Sequence, residues 1–208
     1  MITLHTWTTP NGRKPVIMLE ELGLEYRIVP VDITKDEQFR PEFLAISPNN
    51  KIPALVDDGA PGAPLTMFES GAILTYLAER HSRFLAPDGP ARYRALEWLH
   101  WQIGGLGPML GQLGHFAKQD DAPAKEHFLK EADRLLTVLD TQLDKHTYIA
   151  SDDYTIADIA AYTWTQAATE RLRALLGDKL DSKHALKRWL ALVGERPAVR
   201  RGMEWKVE

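Results

Sequence analysis

The sequence predicts a small mixed α/β domain followed by an all-helical one, and three observations carry that expectation. Through residue 82 the chain alternates short apolar strands with amphipathic stretches in the order βαβαββα. A punctuated segment, Phe84-Leu-Ala-Pro-Asp-Gly-Pro90, then interrupts the pattern. Beyond it every periodic segment has helical spacing. The expected domains are therefore residues 1–82 and 90–208.

Each element has a local reason. Ile2-Thr-Leu-His-Thr6 alternates as a half-buried strand does. Trp7 to Gly12 is a run of turn formers, and Arg13 to Leu22 carries apolar residues at Val16, Ile17, Leu19 and Leu22 before Gly23 closes the helix. Tyr26 to Val31 reads as a second strand, parallel to the first because a helix lies between them. Pro41 to Ile46 is a short helix. Ala54-Leu-Val56 and Leu65-Thr-Met67 are strands joined by a Gly/Pro-rich hairpin loop, and Glu69 to Arg80 is a helix with Ile73, Leu74 and Leu77 on its apolar side. In the second half, helices are expected over Tyr93 to about Met109, Lys125 to Leu143, and Leu186 to Glu195, the last stopping before Pro197. Thr155-Ile-Ala-Asp158 has capping-box spacing and reads as a structural helix start.

Composition narrows the functional classes. With 25 basic and 29 acidic residues the net charge is −4, which gives no electrostatic footprint for nucleic acid. No uncharged apolar run approaches the roughly 18–20 residues that span a bilayer, so no membrane partner is expected. The start lacks the basic and apolar regions of a secretory signal, and the expected location is the cytoplasm. Cysteine is absent, which removes disulfides, thiolate metal sites and protein-borne thiol chemistry. The histidines form no His-x-x-x-His pair, so no metal is expected.

One stretch organises the rest. Ser47-Pro-Asn-Asn-Lys-Ile-Pro-Ala-Leu-Val56 makes a polar turn and enters a strand through Ile52-Pro53, a bond at which the cis isomer is accessible. Backbone groups exposed there can pair with an extended peptide-like ligand. Glu69-Ser-Gly71 begins a helix, where unpaired N–H groups and the dipole suit a carboxylate. Taken singly, Glu69-Ser70 is a helix cap and Thr8-Thr-Pro-Asn-Gly12 a turn. Together with the strand entry they describe a site for a small, extended, acidic peptide. The segment Gly104-Gly-Leu-Gly-Pro-Met-Leu-Gly111 lacks the spacing of a phosphate loop and reads as a place of close helix approach, with a dimer two-fold as one setting for it. Trp98, Trp101, Phe116 and Trp164 read first as core or pocket-wall aromatics.

These motifs, across essentially the whole chain, resemble the cytosolic glutathione transferases. Thr8-Thr-Pro-Asn-Gly12, Gln38-Phe-Arg-Pro-Glu-Phe43, Ile46 to Pro53, Phe68 to Ile73 and Trp101 to Gln112 look most like the bacterial Nu class. The resemblance implies a thioredoxin-like N-terminal domain, an all-helical C-terminal domain, a homodimer, and glutathione as co-substrate with no metal. It implies a glutathione-dependent thiol transferase that chiefly reduces disulfides. Conjugation to electrophiles and hydroperoxide reduction are alternatives on the same site, and a non-enzymatic binding protein is the alternative from another class.

The resemblance also implies roles for residues. Thr9 and Asn11, with Thr8 a weaker third, would donate to the glutathione sulfur and lower its pKa, as hydroxyl or amide donors near a helix N-terminus do. The Ile52 backbone, at the Asn50-Lys51-Ile52-Pro53 turn, would hold the cysteinyl part. Glu69 would face the γ-glutamyl amine and Ser70 its carboxylate, while Gln38 and Lys51 would reach the glycyl end. Phe116 and Trp164 lie where the family builds its acceptor pocket. Where the class pattern has an arginine that reaches the partner subunit's glutathione, this chain has His127, with Lys130 or Arg134 as substitutes.

Overall fold

The structure, a computed structural model, describes residues 1–207 and divides into two compact units. One comprises residues 1–83 with 196–207, the other residues 84–195.

The first unit is built on a four-stranded sheet of order β2-β1-β3-β4. Strand β1 (Ile2–Thr6) leads into α1 (Pro10–Leu22), and β2 (Tyr26–Pro30) returns parallel to β1. Two 3-10 turns, Ile33–Lys35 and Glu37–Phe39, precede the single turn of α2 (Pro41–Leu44). Strands β3 (Ala54–Asp57) and β4 (Leu65–Phe68) form the antiparallel hairpin, with β3 also antiparallel to β1, and α3 (Ser70–His81) follows.

Helix α1 starts earlier than its apolar pattern because Thr9, in extended conformation, caps it and Pro10 takes the first position, where a missing N–H costs nothing. Gly23 at φ 68° closes it in the left-handed region. The first turn is crowded. The Thr6 hydroxyl donates to the Gly12 carbonyl, and a Cβ at Gly12 would lie 2.0 Å from the Trp7 carbonyl oxygen. Gly12→Ala is therefore expected to cost about 1–3 kcal/mol through forced backbone shifts, read as a lower urea midpoint at unchanged slope. An unchanged midpoint would mean the Trp7–Thr9 loop yields freely.

The second unit is helical. Helix α4 (Gly89–Trp101) passes through a π-helical turn, Gln102–Leu106, into α5 (Gly107–Phe116). Helix α6 (Ala122–Leu143) is capped by the Asp121 carboxylate and buries Ala132, Leu135, Leu136, Leu139 and Leu143, a continuous stripe at helical spacing. The capping box at Thr155–Asp158 opens α7 (Ile156–Arg171). The glycines of the α4–α5 region serve close approach. A Cβ at Gly107 would come within 3.1 Å of Trp164 Nε1 on α7, and one at Gly111 within 3.2 Å of its ring. Two single turns, α8 (Arg173–Leu176) and α9 (Asp178–Asp181), precede α10 (His184–Gly194).

The last helix, α11 (Pro197–Glu204), differs from the sequence expectation. Pro197 starts a helix instead of only ending one, and residues 196–207, expected within the 90–208 domain, cluster with the first unit. The reason is its pairing with α1. Arg196 makes a bidentate pair with Glu21 at 2.6 and 2.9 Å, Arg13 donates to the Gly202 and Met203 carbonyls, and Gly202 leaves room for Ile17. Such long-range pairing leaves no periodic trace in the chain. The 3-10 turns, α8 and α9 are likewise too short to register as a period.

Candidate functional site

The strand register gathers the sequence-predicted residues of the first unit at one end of its sheet. His5 pairs with Ala54, and Ala54 pairs with Phe68. The exit of β1, the entry of β3 and the exit of β4 therefore lie side by side. Thr9 and Asn11 follow the first, Ile52-Pro53 precedes the second, and Glu69-Ser70 follows the third. The exit of β2 lies at the same end, since Pro30 pairs with Thr6, and the chain continues from it towards Gln38.

Each segment is held by identifiable bonds. At the α1 cap, Thr9 Oγ1 accepts the Gly12 N–H at 3.1 Å, which uses a lone pair and leaves the hydroxyl hydrogen to donate elsewhere. Capping and donation to a ligand are thus compatible in one side chain. Asn11 is half-buried in the first turn of α1, and Thr8 is half-buried in the loop before it.

The turn before β3 is fixed by Ser47, whose fully buried hydroxyl donates to the Lys51 carbonyl at 2.8 Å while its own carbonyl accepts the Asn50 N–H. Asn50 takes φ 48°, a left-handed position that asparagine tolerates. Ile52-Pro53 is cis. The Ile52 side chain packs on Val31, Phe43 and Ala54, while its backbone lies ahead of the β3 ladder and outside the bonds that fix the turn. Lys51 is exposed. Gln38, in the second 3-10 turn, reaches only a long 3.5 Å contact to Asp36, and its Oε1 is buried without a hydrogen-bond partner.

At the start of α3, Glu69 adopts φ 72° and ψ 111°, uncommon for a non-glycine residue, and makes no side-chain capping bond. Backbone strain of this kind points to a functional constraint. The first intrahelical bond runs from the Ile73 N–H to the Glu69 carbonyl, so the amides of Ser70, Gly71 and Ala72 precede the helix ladder and suit an anion. Ser70 is buried, and Lys14 Nζ lies 3.4 Å from its Oγ. Burial lowers the Lys14 pKa to about 7, against the opposing pull of Glu69. The sequence reading missed Lys14. The available signal was a charged residue at helical spacing from Ile17 and Met18, on the buried face of α1.

The remaining predicted residues belong to the helical unit. Phe116 stacks on Phe128 with ring centroids 5.2 Å apart, and Trp164 is the half-buried ring beneath Gly107 and Gly111. Trp98 and Trp101 meet edge to face. His127 is exposed on α6 beside Phe128, whereas Lys130 and Arg134 are engaged within the helix by Glu126 and Glu131. A cavity of about 410 Å³ in this unit, bordered by His146, His184 and Arg188, contains none of the predicted residues. Among the described residues no cluster of three His, Asp or Glu is placed to hold a metal, and no helix is long and apolar enough to cross a membrane.

Comparison with known proteins agrees with the two-domain fold. Residues 1–79 match the family model "Glutathione S-transferase, N-terminal domain" and residues 96–197 the model "Glutathione S-transferase, C-terminal domain". The chain is 47% identical to the disulfide-bond oxidoreductase YfcG of Escherichia coli over 205 residues, covering 95% of this chain and 92% of that protein. A glutathione transferase family member from Pseudomonas fluorescens, solved with two glutathione molecules bound, superposes with a TM-score of 0.93 at 45% identity, covering 98% of this chain and 92% of the other. A Pseudomonas putida glutathione transferase, solved with one glutathione disulfide per subunit, gives 0.93 at 43% identity, with 98% and 90% coverage. Two matched domains, near-complete coverage and high identity lead to one conclusion: the chain belongs to the glutathione S-transferase family.

Proposed function

We propose that the protein is a glutathione-dependent thiol transferase whose chief reaction is disulfide-bond reduction, working as a cytoplasmic homodimer. The observation that carries this reading is a donor-rich helix start, an open strand entry and an anion-suited helix start gathered at one sheet end in a chain without cysteine. The reacting sulfur must then come from the ligand. Glutathione supplies that thiolate, and its exchange with a disulfide needs access and alignment of sulfurs.

The residues divide the work. Thr9 and Asn11 donate to the sulfur and hold it ionised. The Ile52 backbone pairs with the cysteinyl unit as an added strand would. Glu69 meets the γ-glutamyl amine, and Ser70 with the first amides of α3 meets its carboxylate. Gln38 and Lys51 serve the glycyl end. Phe116 and Trp164 bound the acceptor side, and His127 is the side chain offered to the partner subunit's glutathione. The protein contributes position and electrostatics, with no covalent handle of its own. The relatives support the choice of reaction: one is named a disulfide-bond oxidoreductase, and another was solved with glutathione disulfide bound.

The test is reduction of a small model disulfide by glutathione, followed through NADPH consumption by glutathione reductase. A standard electrophile and a hydroperoxide run beside it on the same enzyme. Disulfide turnover well above the other two is the expected outcome. Faster conjugation would reassign the reaction on the same site. Glutathione binding with no turnover of any substrate would make the protein a binding module.

A further inference from the structure

Lys14, only 1% exposed, is the one charged residue buried in the first half of α1, and it has no part in the proposed division of work. Its ammonium lies against Ser70, at the start of α3, on the protein side of the anion-suited amides. Resting on the glutathione reading, we propose that Lys14 is a positioning residue for the γ-glutamyl carboxylate, acting through Ser70. The argument is one of hydrogen-bond direction. An ammonium group only donates, so Ser70 Oγ accepts from Lys14 along a lone pair. The Ser70 hydroxyl hydrogen is thereby turned away from the core, towards the ligand side. The positive charge behind it adds to the α3 dipole where a carboxylate would sit.

Burying an ammonium disfavours its charged form. Burial brings the Lys14 pKa down to about 7, and Glu69 opposes that shift. Among the elements packed on α1, the start of α3 is preceded by Glu69. Arg196, which precedes α11, and Arg201 on α11 are engaged with Glu21 and Glu20 towards the far end of α1, and His5 of β1 is held below its usual pKa by burial and Arg27. A carboxylate arriving at Ser70 would add a second negative charge and draw a proton onto Lys14. Ligand binding would then take up protons near neutral pH. Stability without ligand moves the opposite way, since a lysine with a lowered folded pKa adds stability as pH rises from about 7 towards 10.5.

The test uses S-methylglutathione, whose sulfur cannot ionise, and its analogue with 4-aminobutyryl replacing γ-glutamyl, which lacks only the carboxylate in question. Dissociation constants are measured by calorimetry for the full chain and for Lys14→Met and Lys14→Arg. Lys14→Met is expected to weaken S-methylglutathione about tenfold or more, the scale of a hydrogen-bond network to a charged group, and the analogue less than twofold. Lys14→Arg is expected to restore much of the affinity and to remove its pH dependence between pH 6 and 8. Equal losses for both ligands, or none, would overturn the proposal while leaving the glutathione reading intact. No binding of either ligand by the unaltered chain would overturn both. If Lys14→Met does not fold, the unaltered chain decides alone. Proton uptake near pH 7.5, compared in buffers of different ionisation enthalpy, is expected with S-methylglutathione and not with the analogue. Equal uptake with both would count against Lys14.

Discussion

Thr9→Val is expected to lower disulfide reduction at pH 7 by about 10- to 100-fold and to raise the pKa of bound glutathione by about 1–2 units. A hydrogen bond to a charged group contributes about 1.5–3 kcal/mol, and each pKa unit corresponds to about 1.4 kcal/mol. Valine has the shape of threonine and removes the hydroxyl alone. The same change removes the α1 cap, because Thr9 Oγ1 accepts the Gly12 N–H. That loss costs about 1 kcal/mol of stability and is read separately in the unfolding midpoint. Thr9→Ser keeps both functions and is expected to retain most activity. Ultraviolet titration of the bound thiolate separates the two roles. A valine variant with a lower midpoint and an unaltered thiol pKa would reduce Thr9 to a cap, and Asn11→Ala would then be the next donor to test.

Much of this architecture was legible because local chemistry and tertiary position agree. The alternation of Ile2–Thr6 became β1, Gly23 closed α1 in the left-handed region, and Thr155–Asp158 formed a reciprocal capping box. The α/β unit followed by helices is the glutathione S-transferase arrangement. Where local and tertiary signals part, the sequence misleads. Thr-Pro-Asn-Gly contains turn formers, yet Pro10 and Asn11 already lie within α1 because a proline at the first helical position loses no bond. Helix α11 joins the first unit through Arg196, Arg13 and Gly202, pairings separated by most of the chain.

The candidate site was legible in a different way. Each motif alone reads as a cap or a turn, and only the register of β1, β3 and β4 puts the motifs at one end of the sheet. Lys14 escaped because a charged residue beside apolar neighbours is usually given to solvent, whereas here it is buried against Ser70. His127 shows the converse limit. Its exposure on α6 is observed, but a role towards a second subunit depends on a surface that one chain does not contain.

Asp158→Ala is expected to have the largest effect on stability, about 3–5 kcal/mol, because several buried donors lose their acceptor at about 1–3 kcal/mol each. For a chain of this size that is a fall in Tm of roughly 10 °C. The Asp158 carboxylate is fully buried and accepts the N–H groups of Ile149 and Thr155, the Thr155 hydroxyl at 3.2 Å and Trp189 Nε1 at 2.9 Å. Alanine leaves these donors in the core with no acceptor. Burial pushes the Asp158 pKa up to about 6, with the hydrogen bonds opposing part of the shift. Its sign differs from the usual carboxylate case. With an unfolded pKa near 3.9, the folded chain holds more protons between about pH 4 and 6, so this group's contribution falls as pH rises through that window. Asp158→Asn cannot ionise and is expected to lose that slope, while its amide NH2 opposes some of the donors and keeps it less stable than the parent. Thermal unfolding of the three chains at pH 4, 5, 6 and 7 measures both effects. A fall below about 2 °C for Asp158→Ala would mean that water or a rearranged loop satisfies the abandoned donors. The same pH slope in the parent and Asp158→Asn would place the titration on another group.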